Sequence, residues 1–128
     1  MINVGFYIPK VSQEQRNVDI FTALNIAIEK REVRDASIFY NDIDYNPIVP
    51  KFGMFNSSEI WSFTGTLFST SLTNSLLADN IINKFKLFHI YNREDDKNLI
   101  ELLKVSEKIK VVTHSEEDTK EYFRLTNK

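Results

Sequence analysis

The sequence predicts an α/β fold: a single domain over residues 1–128, doubly wound in three layers around a mainly parallel sheet of five strands. Three observations carry that expectation. Short apolar runs rich in Ile, Val, Phe and Tyr recur along the chain, each of strand length. Between them lie stretches with apolar residues at helical spacing, several opened by cap residues. Connections of helix size do not suit hairpins, so successive strands must pair in parallel through right-handed crossovers.

Residues 3–8 are the first apolar run, ended by Pro9. Ser12 followed by Gln15 is a capping-box pattern, and Val18, Phe21, Leu24 and Ile28 then fall close to helical spacing. The cations of Arg31 and Arg34 suit the end of that helix. Residues 36–40 read as the second strand, closed by the turn formers Asn41, Asp42 and Asp44. An irregular stretch with Pro47 and Pro50 follows, in which residues 52–55 are a candidate short strand. Residues 59–64 read as the third main strand, stopped by Gly65. A Thr/Ser segment leads to a helix over residues 72–82 on Leu72, Leu76, Leu77 and Ile81. Residues 85–91 are strand again, and Asp95 or Asp96 is the expected cap of a helix carrying Leu99, Ile100, Leu102 and Leu103. Residues 109–113 form the closing strand. Ser115, with Asp118 three positions on and Glu116 and Glu117 between, opens the last helix at its positive end. Burial is expected for Phe21, Leu24, Ile38, Phe88, Leu99, Leu103 and Val111.

Composition narrows the function classes. At 128 residues there is room for one core. The apolar share of 42% and charged share of 27% are those of a globular protein. A net charge of -2 gives no broad cationic footprint, which argues against nucleic acid as a partner. The absence of cysteine excludes disulfides, thiolate metal sites and cysteine nucleophiles. Residues 3–8 follow the start without a basic leader, and no apolar run has the length of a bilayer span, so a soluble cytoplasmic protein without membrane association is expected. Frequent Phe, Ile, Asn and Lys beside scarce Gly and Pro point to an AT-rich genome, such as a viral one.

In open α/β sheets the ligand crevice lies beyond the carboxyl ends of the strands. The expected strand ends supply Lys10, Asp42, Thr64, Thr66, Arg93, His114, Ser115 and Glu116 as ligand-binding candidates. Turns and caps also collect Asn, Asp, Ser and Thr at such junctions, so each has a purely structural reading as well. His114 stands between a strand and a helix N-terminus, where the positive dipole favours a neutral imidazole able to bond a sugar or phosphate, or backbone. Inside its apolar run, His89 reads as a core or sheet-face histidine. Two separated histidines without an acid at ligand spacing make no metal motif. Neither a G-x-G-x-x-G after the first strand nor a P-loop is present, so no cofactor is expected and no catalytic residue is assigned. Residues 65–71 offer a thin alternative, a turn presenting backbone N–H groups to an anion.

The order of these pieces resembles the N-terminal Rossmann-like half of GT-B glycosyltransferases. The words Met-Ile-Asn-Val-Gly-Phe-Tyr-Ile-Pro at 1–9, Ala-Leu-Asn-Ile-Ala at 23–27, Glu-Ile-Trp-Ser-Phe-Thr at 59–64 followed by the helix at 72–82, and Lys-Leu-Phe-His-Ile-Tyr at 86–91 carry the resemblance. The closest piece is the run at 103–116, similar to the strand ending in Ser before a helix in that family. The glycine pair usual after the first strand is replaced by Lys10-Val-Ser-Gln-Glu. The resemblance implies a stand-alone acceptor-type domain that binds a sugar or nucleotide sugar. A homodimer or second protein chain would supply the donor half, and no glycosyl transfer is expected from this chain alone. A non-enzymatic protein-interaction module, presenting Phe52, Phe55, Trp61 or Phe68, is the other class, and a flavodoxin-like nucleotide binder a third.

Overall fold

A computed structural model describes residues 3–81 and 85–126. The chain runs β1 (Asn3–Val11), α1 (Gln15–Glu29), β2 (Asp35–Ile43), β3 (Gly53–Asn56), a 3-10 turn (Ser57–Ser62), β4 (Gly65–Ser69), α2 (Leu72–Asp79), β5 (Phe85–Tyr91), α3 (Leu99–Lys108), β6 (Lys110–Thr113) and α4 (Glu116–Thr126). All neighbouring strands are parallel, in the order β3-β2-β1-β4-β5-β6, which is the Rossmann order. The sheet therefore has six strands where five were expected, because the candidate strand after Pro50 pairs with β2 from Ser37↔Gly53 to Tyr40↔Asn56.

Packing follows the alternation of side chains along each strand. Val4 and Ile8 of β1 join Ile38 of β2 and Phe21 and Leu24 of α1 in one cluster, which Val11 also enters, out of alternation, at the strand's end. The alternate residue Tyr7 joins Phe39, Leu67, Ile60 and Ala78 of α2 in another. A third cluster gathers Tyr91, Leu72, Leu102, Val105 and Tyr122 from β5, α2, α3 and α4. Phe6, Phe68 and Phe88 stack in line across β1, β4 and β5, at 5.3 Å and 5.5 Å between ring centres.

The expected strand over residues 59–64 is not one. Asn56 Oδ1 accepts from Ser58 N at 3.0 Å and turns the chain into the 3-10 segment, in which Ile60 alone is buried and Trp61 is 68% exposed. The strand begins at Gly65, the residue expected to stop it. Leu67 of this strand is wholly buried in the Tyr7 cluster, while its neighbour Phe68 packs against the cluster of Val4 and Ile8, so successive residues find apolar partners. Gly65 has φ +133°, and a Cβ there would lie 2.4 Å from the Asn3 carbonyl oxygen. Glycine is thus required for the chain to enter β4 beside β1.

Two helix starts also move. The first helix begins at Gln15, and Ser12 instead accepts from Glu14 N at 3.3 Å and Asn17 Nδ2 at 2.8 Å, tying up the loop that precedes the helix. Asn98, not Asp95 or Asp96, caps α3 by accepting from Glu101 N at 3.1 Å. The buried stripe of α3 is Leu102, Val105 and Ser106, so Leu99 and Leu103 face outward, against expectation. Of the other residues expected inside, Phe21, Leu24 and Ile38 are buried, while Phe88 and Val111 are half-buried. Ser115 caps α4 as expected, accepting from Asp118 N at 3.1 Å. Ile82, placed in the second helix by the sequence, lies outside the described residues, and that helix ends at Asp79. Replacing Gly65→Ala combines a positive φ with a clash on backbone, so it should destabilise the fold by about 2–4 kcal/mol. Urea unfolding checks this as a lower midpoint at unchanged slope.

Candidate functional site

The strand order reverses between β1 and β4, because the chain leaves β1 toward β2 and later returns to β1's other side. At the carboxyl ends of those strands the first turns of α1, α2 and α3 converge on a crevice of about 370 Å³. Such a switch point is where open α/β sheets hold ligands. Ser12, Asn17, Thr73 and Asn98 bring hydroxyls and amides to it, and Lys10, Glu14 and Glu101 bring charge.

Arg16 crosses this crevice. Its Nη1 donates to Thr70 O at 3.0 Å and to Asp95 Oδ2 at 2.8 Å, and its Nη2 donates to Ile90 O at 3.2 Å. One guanidinium fork thereby ties α1 to the ends of β4 and β5. Asn17 Nδ2 donates to Lys10 O at 3.0 Å, and Asn46 Nδ2 to Ser12 O at 2.9 Å, so the loop after β1 is pinned as well. Ser71 caps α2 by accepting from Asn74 N at 3.1 Å. On the α3 side Glu101 accepts from Thr73 Oγ1 and Asn98 Nδ2, both at 3.1 Å.

Beneath the crevice lies a buried relay. Ser75 Oγ is 2.7 Å from His89 Nδ1, and His89 Nε2 is 2.7 Å from Asp96 Oδ2, which also accepts from Asn92 N at 3.0 Å. Ser75 and His89 are wholly buried and Asp96 is 4% exposed. A neutral imidazole protonated on Nε2 satisfies every atom: Ser75 donates to Nδ1 and Nε2–H donates to the carboxylate. Ser, His and Asp are the residue types of a hydrolase triad, but a wholly buried Ser75 hydroxyl cannot reach a substrate. The relay locks the β5–α3 loop, whose next residue outward, Asp95, holds Arg16. His89 is thus the core histidine its apolar setting predicts. Nearby, Tyr7 Oη donates to Asn41 Oδ1 at 3.0 Å and Asn41 Nδ2 to Asn74 Oδ1 at 2.9 Å. Burial pushes the Tyr7 phenol up, against the lowering effect of its bonds to Ser57 and Asn41, so it stays a neutral donor.

The expected rim residues do not assemble as one site. Lys10 lines the crevice, with its ammonium 3.7 Å from Asp44. Asp42 is its register partner on β2 and is exposed beside the crevice. Thr64 and Thr66 sit at the amino end of β4, the opposite end of the sheet, because the strand starts at Gly65. Arg93 pairs with Glu117 at 2.6 Å and Asp118 at 3.6 Å, joining the end of β5 to α4. His114, Ser115 and Glu116 lie at the end of the edge strand β6, beyond β4 and β5 from the crevice. There His114 is exposed, Ser115 is the cap already described, and Glu116 is 3.9 Å from Lys120.

Sequence reasoning missed Arg16, Asp95, Asp96, Asn98 and Glu101. Arg16 left one signal: a cation in the first turn opposes the helix dipole, and no acid stands in that turn to offset it. The misfit makes sense only with a tertiary partner. Among the described residues no group of three or more acids and histidines could hold a metal ion, and no helix is long and apolar enough to cross a membrane. Comparison with known proteins found no matching family model, no similar curated protein and no similar solved structure.

Removing the imidazole strands a buried carboxylate. His89→Leu should therefore lower stability by about 3 kcal/mol, read from chemical unfolding against wild type.

Proposed function

We propose that this domain is a glycosyltransferase-like, acceptor-type unit that holds a hydroxyl-rich ligand in the β1/β4 crevice. One observation carries the reading. At the order reversal, hydroxyls, amides and the carboxylates of Glu14 and Glu101 line the crevice, while its guanidinium is consumed by Asp95 and main-chain carbonyls. An uncharged sugar finds donors and acceptors there, whereas a nucleotide phosphate would meet the carboxylates of Glu14 and Glu101 with one uncommitted side-chain cation, Lys10, itself near Asp44. A nucleotide sugar is thus the weaker candidate. A doubly wound, three-layer arrangement, a cytoplasmic location without a cofactor, and closure of the open crevice by a homodimer or second lobe belong to the same proposal. Transfer needs donor and acceptor in one cleft, so the lobe described here binds and positions without transferring by itself.

The interaction-module reading keeps a specific observation of its own. Trp61 is 68% and Phe55 42% exposed, although Phe52 is buried and Phe68 half-buried. Docking through that side would leave the crevice unoccupied.

The deciding measurement is an NMR titration with methyl glycosides, oligosaccharides and nucleotide sugars. Neutral sugars should shift amides around Ser12, Ser71 and Asn98. Glu14→Ala should weaken them about tenfold, as loss of a bond to a charged group does. His114→Ala and Arg93→Ala should change affinity less than about twofold, the ordinary range for a residue outside the contact. Binding lost with His114 or Arg93 but indifferent to Glu14 would move the ligand to the sheet edge. Shifts confined to Trp61 and Phe55 with a protein partner would favour the module.

A further inference from the structure

At the opposite end of the sheet, where β1, β2 and β3 begin, a second groove of about 450 Å³ is bounded by Asn3, Asp35, Phe39, Phe55, Glu59 and Phe63. Its chemistry differs from that of the crevice. The three phenylalanines form one aromatic wall: Phe39 lies 5.8 Å from Phe55 and 5.4 Å from Phe63 between ring centres, the second pair edge-on. Phe39 is 3% exposed and anchors the wall, whereas Phe55 is 42% exposed and presents its ring. Gly53 lets that ring lie down, since a Cβ there would be 2.6 Å from Phe55 Cε2.

Around the wall the polar groups are acceptors. Asp35 and Glu59 line the groove, and neither carboxylate is in an ion pair among the described residues. Asn3 Oδ1 is buried without a hydrogen-bond partner among the described residues. No Lys or Arg lines the groove among the described residues. An aromatic wall flanked by carboxylates, with a spare acceptor and no Lys or Arg among the described residues, is complementary to one kind of group. The ring quadrupole attracts a positive charge on its face, and the carboxylates neutralise it from the sides. An anion would meet two negative charges, and a purely apolar ligand would bury them unpaired.

We propose that this groove is a binding site for an organic quaternary ammonium group, carried by a small choline-like molecule or by a trimethylated lysine side chain of a peptide. The site is independent of the crevice. It lies at the amino ends of the strands, about 25–30 Å away along the nine residues of β1. It stands or falls without the sugar-binding reading.

The test titrates the full chain with choline, with its uncharged isostere 3,3-dimethylbutanol, and with a short trimethyllysine peptide, following amide shifts of Gly53, Phe55 and Thr64. Choline or the peptide should bind at least about tenfold more tightly than the isostere, and the tighter of the two identifies the source of the ammonium. Phe55→Leu keeps the apolar cover on Gly53 but removes the ring, and should weaken the cation about tenfold while leaving the isostere unchanged. Glu59→Gln, on an exposed turn and outside every ion pair among the described residues, should weaken binding several-fold and flatten its salt dependence. Equal binding of choline and the isostere, or absence of saturable shifts with both cations, would overturn the proposal. So would cation binding that is indifferent to both Phe55→Leu and Glu59→Gln.

Discussion

Hydrogen bonding of β1 on both of its edges is the constraint from which the rest of the molecule follows. β1 pairs with β2 along nearly its whole length and with β4 from Val4↔Thr66 to Tyr7↔Ser69. Because every pairing is parallel, the chain must cross over a face of the sheet between strands. It leaves β1 by α1 toward β2 and β3, then returns to the other edge at β4. That reversal opens the crevice, since the connections after β1 and β4 depart to opposite sides. The same double pairing sets the demand at Gly65, where the β4 backbone passes too close to Asn3 for a side chain.

A crevice between departing helices would gape without cross-links, and polar groups supply them. Arg16 spans from α1 to the carbonyls that end β4 and β5, and Asp95 completes its fork. The β5–α3 loop that carries Asp95 is held from below by the Ser75–His89–Asp96 relay. Each buried member has its partners, the condition under which a polar network adds rigidity instead of cost. The consequence for ligands is electrostatic. Charges spent on holding the walls are not available to bind phosphate, and what remains around Glu14, Glu101, Asn17 and Ser12 is hydrogen-bonding capacity.

The two ends of the sheet are chemically distinct for a structural reason. At the carboxyl ends, helix first turns bring caps, hydroxyls and amides inward. At the amino ends, the 3-10 turn and edge strand β3 bring phenylalanines and carboxylates. One domain thus offers a polar crevice at one end and an aromatic, acidic groove at the other.

Much of the fold was legible in the sequence because it is encoded locally. The apolar runs of β1, β2 and β5, the cap of α4 at Ser115 and the burial of His89 within its strand all follow from residue type and period. Parallel pairing followed from the length of the connections. What tertiary structure alone decided concerns choices between locally equal options. Residues 59–64 read as a strand and the segment from Gly65 as a turn, yet the space beside β1 selected the segment that begins with glycine as the strand. Asn98 displaced Asp95 and Asp96 as a cap because those carboxylates have other partners, Asp95 in Arg16, far away in sequence, and Asp96 in His89 of the preceding strand. The site was the least legible part for the same reason. Lys10 falls at the crevice because β1 does, whereas His114 ends the edge strand, and strand order is not written in the strand. Neither crevice nor groove exists until helices and turns distant in sequence close on one end of the sheet.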